Sequence, residues 1–369
     1  MAPPPRCRIH LSCPVIGLLT LLLQCCLTIE VNRVNATTPQ QELLPSFPAI
    51  LAFGDSTVDT GNNNHIPTVF RADHPPYGQD FPSSIPTGRF SNGKLTIDML
   101  ASALNIKPLV PPFLDPNLAP QDLLTGVSFA SGGSGYDRAT DFAVSIPVDA
   151  QLHNFNKYKT KLCELVGEDE SQKILKNALV VISTGSNDFA FNYYAYPVKL
   201  FQRLSVGGYQ DFVQSKMQSH VKSLYEMGCQ KMMVVGLPPM GCLPITMTLR
   251  LSDAECVKEQ NDDARVYNKK LKRQILNMEK QLPGIKISYA DIYKPLFDMI
   301  HNPSKYGFEA TNAGCCGTGL LEAGPLCNML SAACADSSKY VFWDAIHPTE
   351  AAYAYITRSI MAQFLAHLS

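Results

Sequence analysis

Three residues near the two ends of the chain have the types that nucleophilic catalysis requires. Ser56 follows an apolar run and a Gly-Asp pair, and His347 stands three positions after Asp344. A serine hydroxyl becomes a nucleophile when an imidazole accepts its proton, and a carboxylate fixes the tautomer and orientation of that imidazole. In a tight turn this offset brings both side chains out on one side. The sequence therefore predicts a catalytic triad of Ser56, Asp344 and His347.

Acyl transfer also needs hydrogen-bond donors for the negative oxygen of its tetrahedral intermediate. Three candidates follow predicted strands: the backbone amide of Ser56, the backbone amide of Gly132 and the side-chain amide of Asn187. We predict that they form the oxyanion hole. Because neither a G-x-S-x-G nor an H-E-x-x-H motif occurs, a nucleophile elbow and a zinc-hydrolase site are unsupported. The sequence predicts no cofactor and no metal.

Short apolar runs alternate with helical patterns and predict the elements that position these residues. The runs are continuous rather than alternating, which is typical of strands covered on both faces. The pattern predicts a three-layer α/β/α sandwich around a central, mostly parallel, five-stranded sheet, with the ligand site beyond the carboxyl ends of the strands. The predicted strands are residues 49–53, 126–130, 178–183, 231–236 and 286–290.

Three apolar stripes with helical spacing predict the longest helices. The last of these helices is expected to run from Pro348 onward, because proline fits the first turn of a helix. The stripes are Val213, Met217, Val221 and Leu224; then Ala264, Tyr267, Leu271, Ile275, Met278 and Leu282; and finally Tyr353, Ile356, Ile360 and Phe364.

The N-terminal segment has the pattern of a secretory signal peptide. Arg6 and Arg8 precede an apolar stretch at residues 15–27, and small residues follow near position 36. A membrane anchor is the alternative, but the stretch is short for a span and Gln24 interrupts it. We predict a signal peptide over residues 1–36 and a single domain over residues 37–369. The protein is then expected to be secreted and extracellular, with no stable membrane insertion after signal removal.

The charge and cysteine content restrict partners and compartment. With 31 Lys and Arg against 32 Asp and Glu, the net charge of -1 gives no electrostatic case for nucleic acid. Of 12 cysteines, four lie in or near the signal, which leaves eight. In a secreted protein that number favours disulfides. Cys242 with Cys256 is a plausible local pair, bridges are expected within the group at residues 315–334, and Cys163 or Cys229 could stay free.

The motifs together resemble the GDSL-type esterase/lipase family, and in particular its plant secreted subgroup of extracellular lipase-like proteins. Four ordered blocks carry the resemblance: residues 54–56, 126–135, 185–188 and 344–348. It implies a flavodoxin-like hydrolase fold. The same resemblance implies Ser56 as nucleophile, His347 as base, Asp344 as its orienting group, and Gly132 and Asn187 as oxyanion-hole donors. Thr57 replaces the leucine of the family name, and no loss of chemistry is expected.

The sequence thus predicts a secreted serine hydrolase that cleaves lipid or other small carboxylic esters through an acyl-serine intermediate. The alternative enzymatic activity is that of an acyltransferase that uses the same triad. A weakly active wall protein that binds lipid or carbohydrate is the alternative from another class, and the intact triad counts against it. Arg89 and residues 62–64 are candidates either for lining a substrate cleft or for solvated turns. No oligomeric state is predicted.

Overall fold

Four of the five predicted apolar runs form a parallel sheet with the strand order β1-β2-β3-β4. Every residue of β1 and β2 is buried, as the continuous apolar pattern predicts. Along the sheet, Leu179 of β2 pairs with Ile50 of β1 and with Lys231 of β3. The strands are β1 (Ile50–Gly54), β2 (Leu179–Ser183), β3 (Lys231–Val235) and β4 (Lys286–Ala290).

The computed structural model describes residues 46–140, 145–194 and 204–368, with side chains to residue 364. The predicted signal peptide therefore lies outside the described residues. Within those ranges, none of the helices combines the length and the apolar character needed to cross a bilayer.

The predicted strand at residues 126–130 is not a regular strand. Its backbone runs beside β1, where Phe129 N donates to Ala52 O at 2.8 Å. Its other edge bonds to backbone outside any strand and to a side chain; for example, Asn62 Nδ2 donates to Ser128 O at 2.9 Å. The segment therefore forms only isolated β-bridges. The main sheet has four strands rather than five. The segment nevertheless occupies the place of a fifth, which gives the flavodoxin-like order 2-1-3-4-5.

Helices pack against the sheet in two groups, and the predicted apolar stripes face it. The last helix begins at Glu350 rather than at Pro348, because Thr349 takes the N-cap position and its Oγ1 accepts from Ala352 N at 3.2 Å. One group comprises α3 (Val148–Val166), α4 (Glu168–Asn177), α5 (Val206–Glu226) and α7 (Lys258–Gln281); the other comprises α1 (Thr96–Ala103), α8 (Tyr293–His301) and α9 (Glu350–Leu368). Two short helices, α2 (Pro120–Thr125) and α6 (Pro244–Leu249), complete the α-helices of the described residues, and a π-helix follows β2 at Asp188–Tyr193.

A second, two-stranded parallel sheet was not predicted. It pairs β5 (Ala310–Gly314) with β6 (Tyr340–Phe342) and lies directly before the turn that carries Asp344. Disulfides tie down the surrounding irregular chain. The bonded pairs are Cys242–Cys256, as predicted, and Cys315–Cys334 and Cys316–Cys327, while Cys163 and Cys229 are reduced.

Candidate active site

Ser56 lies in the turn that leaves the carboxyl end of β1. Gly54 starts this turn with φ of 141°, and a Cβ there would lie 1.8 Å from Ser183 O, so that only glycine fits. Asp55 N donates to the same Ser183 oxygen at 3.0 Å. Strands β1 and β2 therefore hold the turn together at the edge of the sheet where ligands bind in folds of this kind.

The residues on either side of Ser56 lock the turn. Asp55 is buried, and its Oδ1 accepts from Thr57 N at 3.0 Å and from Thr57 Oγ1 at 2.7 Å. Thr57 Oγ1 also lies 2.8 Å from Ser183 Oγ at the end of β2. Burial raises the pKa of Asp55 to about 6, although its bonds to Thr57 oppose that rise. Thr57, which departs from the family motif, thus has a positioning contact that sequence reasoning missed.

The structure brings Ser56, His347 and Asp344 into one chain of hydrogen bonds. His347 Nε2 lies 2.7 Å from Ser56 Oγ, and His347 Nδ1 lies 2.7 Å from Asp344 Oδ2. All three side chains are buried, and the carboxylate is fully so. With Nδ1–H donating to Asp344, Nε2 is left as the acceptor for the serine proton.

Four donors surround the Asp344 carboxylate. Its Oδ1 accepts from the backbone amides of Ile346 at 2.8 Å and His347 at 2.7 Å. Its Oδ2 accepts from His347 Nδ1 and from the Tyr77 hydroxyl at 2.7 Å. The Tyr77 oxygen in turn accepts from Gly324 N at 2.7 Å. Sequence reasoning missed Tyr77 as a site residue.

The predicted oxyanion donors differ in their availability. In the described part of the chain, the Ser56 amide has no hydrogen-bond partner, and Asn187 Nδ2 gives one hydrogen to Ser134 O and keeps the other. The Gly132 amide is instead committed to Asp59 Oδ2 at 2.9 Å. The next amide, Gly133 N, has no partner among the described residues, and Gly133 borders the space beside Ser56. Gly133 is thus the better-placed glycine.

Two cavities open beside Ser56. Both are bordered by Ser56, Asn187, Ile346 and His347. The aliphatic cavity is the larger of the two. Each of them borders the nucleophile, so that the two arms of an ester have one cavity each. The aliphatic cavity is defined by Val235, Leu243, Leu296, Ile356 and Ile360, and the aromatic cavity by Phe70, Phe90 and Phe191.

Arg89 neither lines the cleft nor is solvated. It is buried, and its guanidinium binds both carboxylate oxygens of Asp98 at 2.8 Å. Asn62 and Asn63 are buried too, and their side-chain amides bond to backbone oxygens of residues 128–132. These residues hold the loops behind the site. Both sequence-based alternatives for them were wrong, because apolar periodicity carries no information about buried polar networks.

Within the described residues, no group of three or more His, Cys, Asp or Glu is arranged to hold a metal ion. The fold and this arrangement of side chains are those of a hydrolase with an α/β architecture. The chain belongs to the GDSL-like lipase/acylhydrolase family, whose family model matches residues 50–360.

Similar proteins that match most of this chain are named GDSL esterase/lipases. The chain is 49% identical to GDSL esterase/lipase At2g30310 of Arabidopsis thaliana, over 93% of this chain and 94% of the relative. It is 51% identical to At1g58430 of the same organism over 89% and 92%, and 46% identical to At1g06990 over 96% and 99%. The protein is a carboxylic ester hydrolase.

Proposed function

We propose that this esterase is secreted and cleaves carboxylic esters of lipids or other small acyl compounds through an acyl-Ser56 intermediate. The observation that carries the proposal is the continuous path from Ser56 Oγ through His347 to the buried Asp344, with both links at 2.7 Å. Such a path supplies a nucleophile, a base and an orienting carboxylate in one geometry.

In the first half of the reaction, Ser56 Oγ bonds to the ester carbonyl carbon while His347 Nε2 accepts the hydroxyl proton. The carbonyl oxygen becomes negative and takes hydrogen bonds from Ser56 N, Gly133 N and Asn187 Nδ2. When the bond to the alcohol oxygen breaks, His347 returns the proton to that oxygen and the alcohol leaves.

In the second half, water replaces the alcohol. His347 accepts one water proton as the hydroxide oxygen bonds to the acyl carbon, and the same donors hold the negative oxygen. The bond to Ser56 Oγ then breaks, Ser56 recovers its proton from His347, and the carboxylic acid departs. Asp344 stabilises the imidazolium in both halves and does not itself take a proton.

The N-terminal pattern of a basic start followed by a short apolar stretch supports export, with a signal peptide at residues 1–36 and one domain over residues 37–369. The contacts of Pro45–Ser369 group this stretch as one compact unit, which supports a single domain. N-terminal sequencing of the exported protein checks the boundary.

The test compares wild type with Ser56→Ala on p-nitrophenyl esters of graded chain length. We expect kcat/KM to fall by roughly 10⁴- to 10⁶-fold, as when a triad serine is removed elsewhere. A fluorophosphonate should add its mass to Ser56 in wild type and to no residue in the variant.

The matched control is Ser215→Ala, because Ser215 is exposed on α5 and its hydroxyl donates to Phe212 O of its own helix. This variant should keep full activity. Equal hydrolysis by wild type and Ser56→Ala would refute the acyl-Ser56 mechanism. Adding an alcohol to the assay measures how the acyl group divides between water and the alcohol, and predominant transfer would identify an acyltransferase instead.

A further inference from the structure

Two residues of the aliphatic cavity carry hydroxyls that have no hydrogen-bond partner among the described residues. Tyr353 OH and Thr184 Oγ1 are buried and have no hydrogen-bond partner among the described residues. Both residues line the aliphatic cavity. A buried hydroxyl that bonds to nothing is costly, so that its presence calls for an explanation. Of the buried side-chain polar atoms without partners in the described chain, these two alone belong to residues of this cavity.

Both residues belong to the lining that the cavity shares with the triad. Thr184 directly follows Ser183, whose Oγ lies 2.8 Å from Thr57 Oγ1 beside the nucleophile. Burial, and after it the charges of Asp344 and Asp55, raise the pKa of the Tyr353 hydroxyl well above its ordinary value. The hydroxyl therefore stays protonated and can donate.

Much of the remaining lining is aliphatic, with side chains such as Leu243, Leu296 and Ile356, and the polar residues of the nucleophile turn border it. The alcohol must leave after the first half of the reaction, whereas the acyl group remains on Ser56 until water attacks. The aliphatic cavity is the larger of the two and suits an aliphatic arm that remains on Ser56. The aromatic cavity, which also borders Ser56, is then left for the departing alcohol.

We infer that the aliphatic cavity binds an aliphatic acyl chain that carries an oxygen substituent close to the ester carbonyl, with Tyr353 OH and Thr184 Oγ1 as its hydrogen-bond partners. This inference rests on the proposed function and names the substrate class: esters of hydroxy acids with an apolar tail. A site built to bond a substrate oxygen discriminates against the analogue that lacks it, because its own polar groups then stay unpaired.

The experiment uses matched p-nitrophenyl esters of octanoic, 2-hydroxyoctanoic and 3-hydroxyoctanoic acid with the full mature protein. The quantity of interest is the ratio of kcat/KM for a hydroxylated ester to kcat/KM for the plain ester. Comparing this ratio between variants cancels the intrinsic reactivity of each ester. We expect the ratio for at least one hydroxylated ester to fall by about tenfold in Tyr353→Phe and also in Thr184→Val.

Tyr355→Phe is the matched control, because this neighbouring tyrosine of α9 donates to Tyr306 O at 3.2 Å, outside the cavity. Its ratio should equal that of wild type. A Tm measurement adds a structural readout. Since the Tyr353 hydroxyl has no partner in the described part of the chain, Tyr353→Phe should keep or raise Tm.

Two results would overturn the inference. They are an unchanged ratio in Tyr353→Phe and a Tm that falls by several degrees in Tyr353→Phe. These results are distinct from failure of the proposed function, in which Ser56→Ala would hydrolyse plain and hydroxylated esters as fast as wild type.

Discussion

The Asp344 carboxylate is the most tightly held group of the site. It is fully buried and accepts two backbone amides, one imidazole N–H and the Tyr77 hydroxyl. Donors to the charged form of a carboxylate favour that form and offset the cost of burial. Tyr77 also accepts from Gly324 N, and its ring packs edge-on near Trp343 and Phe90. Tyr77 is therefore a positioning residue that acts on the base through Asp344.

Tyr77→Phe should lower kcat/KM about tenfold at the optimum, since it removes one hydrogen bond to a charged group while keeping the ring. The loss should appear in kcat rather than in KM, because the change affects the support of the base and leaves the substrate cavities as they are. Tyr225→Phe, whose exposed hydroxyl bonds to Pro283 O, should match wild type in both constants. An unchanged kcat in Tyr77→Phe would contradict the positioning role.

The side chains brought together here were predictable where residue type and local spacing carry the signal. Ser56 follows a strand, and Asp344 and His347 share one turn, so that each could be read from its own neighbourhood. Tyr77 and Gly133 could not. The contact of Tyr77 with Asp344 spans 267 positions, and the choice between Gly132 and Gly133 depends on which amide Asp59 takes.

At the scale of elements, a disulfide-linked segment supports the turn that carries Asp344 and His347. Within this segment Cys315 N donates to Phe342 O at 3.1 Å, and Cys316 N donates to Trp343 O at 2.8 Å. Glu322 O accepts from Ala345 N at 2.8 Å inside the turn itself. The Cys316–Cys327 bridge encloses both Glu322 and Gly324, the partner of Tyr77. The segment is therefore part of the support of the site.

Removing two of the bridges separately should distinguish stability from positioning. Cys316→Ala with Cys327→Ala removes a bridge between residues 11 positions apart. Cys242→Ala with Cys256→Ala removes one between residues 14 positions apart. Loop-closure entropy gives a similar loss of about 3 kcal/mol for each. Only the first pair should also lower kcat/KM of the folded protein, by about tenfold. Urea unfolding and assays well below the midpoint measure the two effects, and equal activities would show that the segment does not position the turn.

The elements themselves were predicted to different degrees. The four strands of the main sheet and the longest helices follow from apolar runs and stripes, because burial on one or two faces imposes a period on the sequence. The segment at residues 126–130 has the same apolar run, but side chains such as Asn62 take its free carbonyls in place of another strand. The small sheet of β5 and β6 has no such run, since β5 is polar and partly exposed.

At the scale of the whole molecule, the sheet order determines where the site lies. Residues 126–130 lie beside one edge of β1, and β2 lies beside the other edge. The chain therefore leaves the ends of β1 and β2 towards opposite sides of the sheet. The crevice at this point receives Ser56 from the end of β1 and Asn187 from beyond β2. The Asp344 turn reaches it from the far end of the chain, which is why the chemistry needs nearly the whole fold.

A buried histidine far from the chemistry should couple the stability of this fold to pH. His220 lies on α5 with its ring 5.5 Å from that of Phe53, edge to face, and neither ring nitrogen has a partner among the described residues. Burial lowers its pKa to about 4, with Asp149 opposing the shift. The unfolded chain takes up this proton near pH 6.5 and the folded protein only near pH 4. The stabilising contribution of the neutral ring is therefore complete above pH 6.5 and is lost as the pH falls to 4.

His220→Phe keeps a ring of similar shape and removes this titration. The free energy of unfolding of the variant, relative to wild type, should rise by about 3 kcal/mol between pH 7 and pH 4, at about 1.4 kcal/mol for each unit of pKa difference. Urea unfolding at several pH values measures the difference, with the exposed His153→Phe as control. Both proteins share every other titrating group, so that any pH dependence of the difference comes from His220. A difference in unfolding free energy that stays constant over this range would mean that His220 is protonated equally in the folded and the unfolded chain. Its ring would then not be isolated from water.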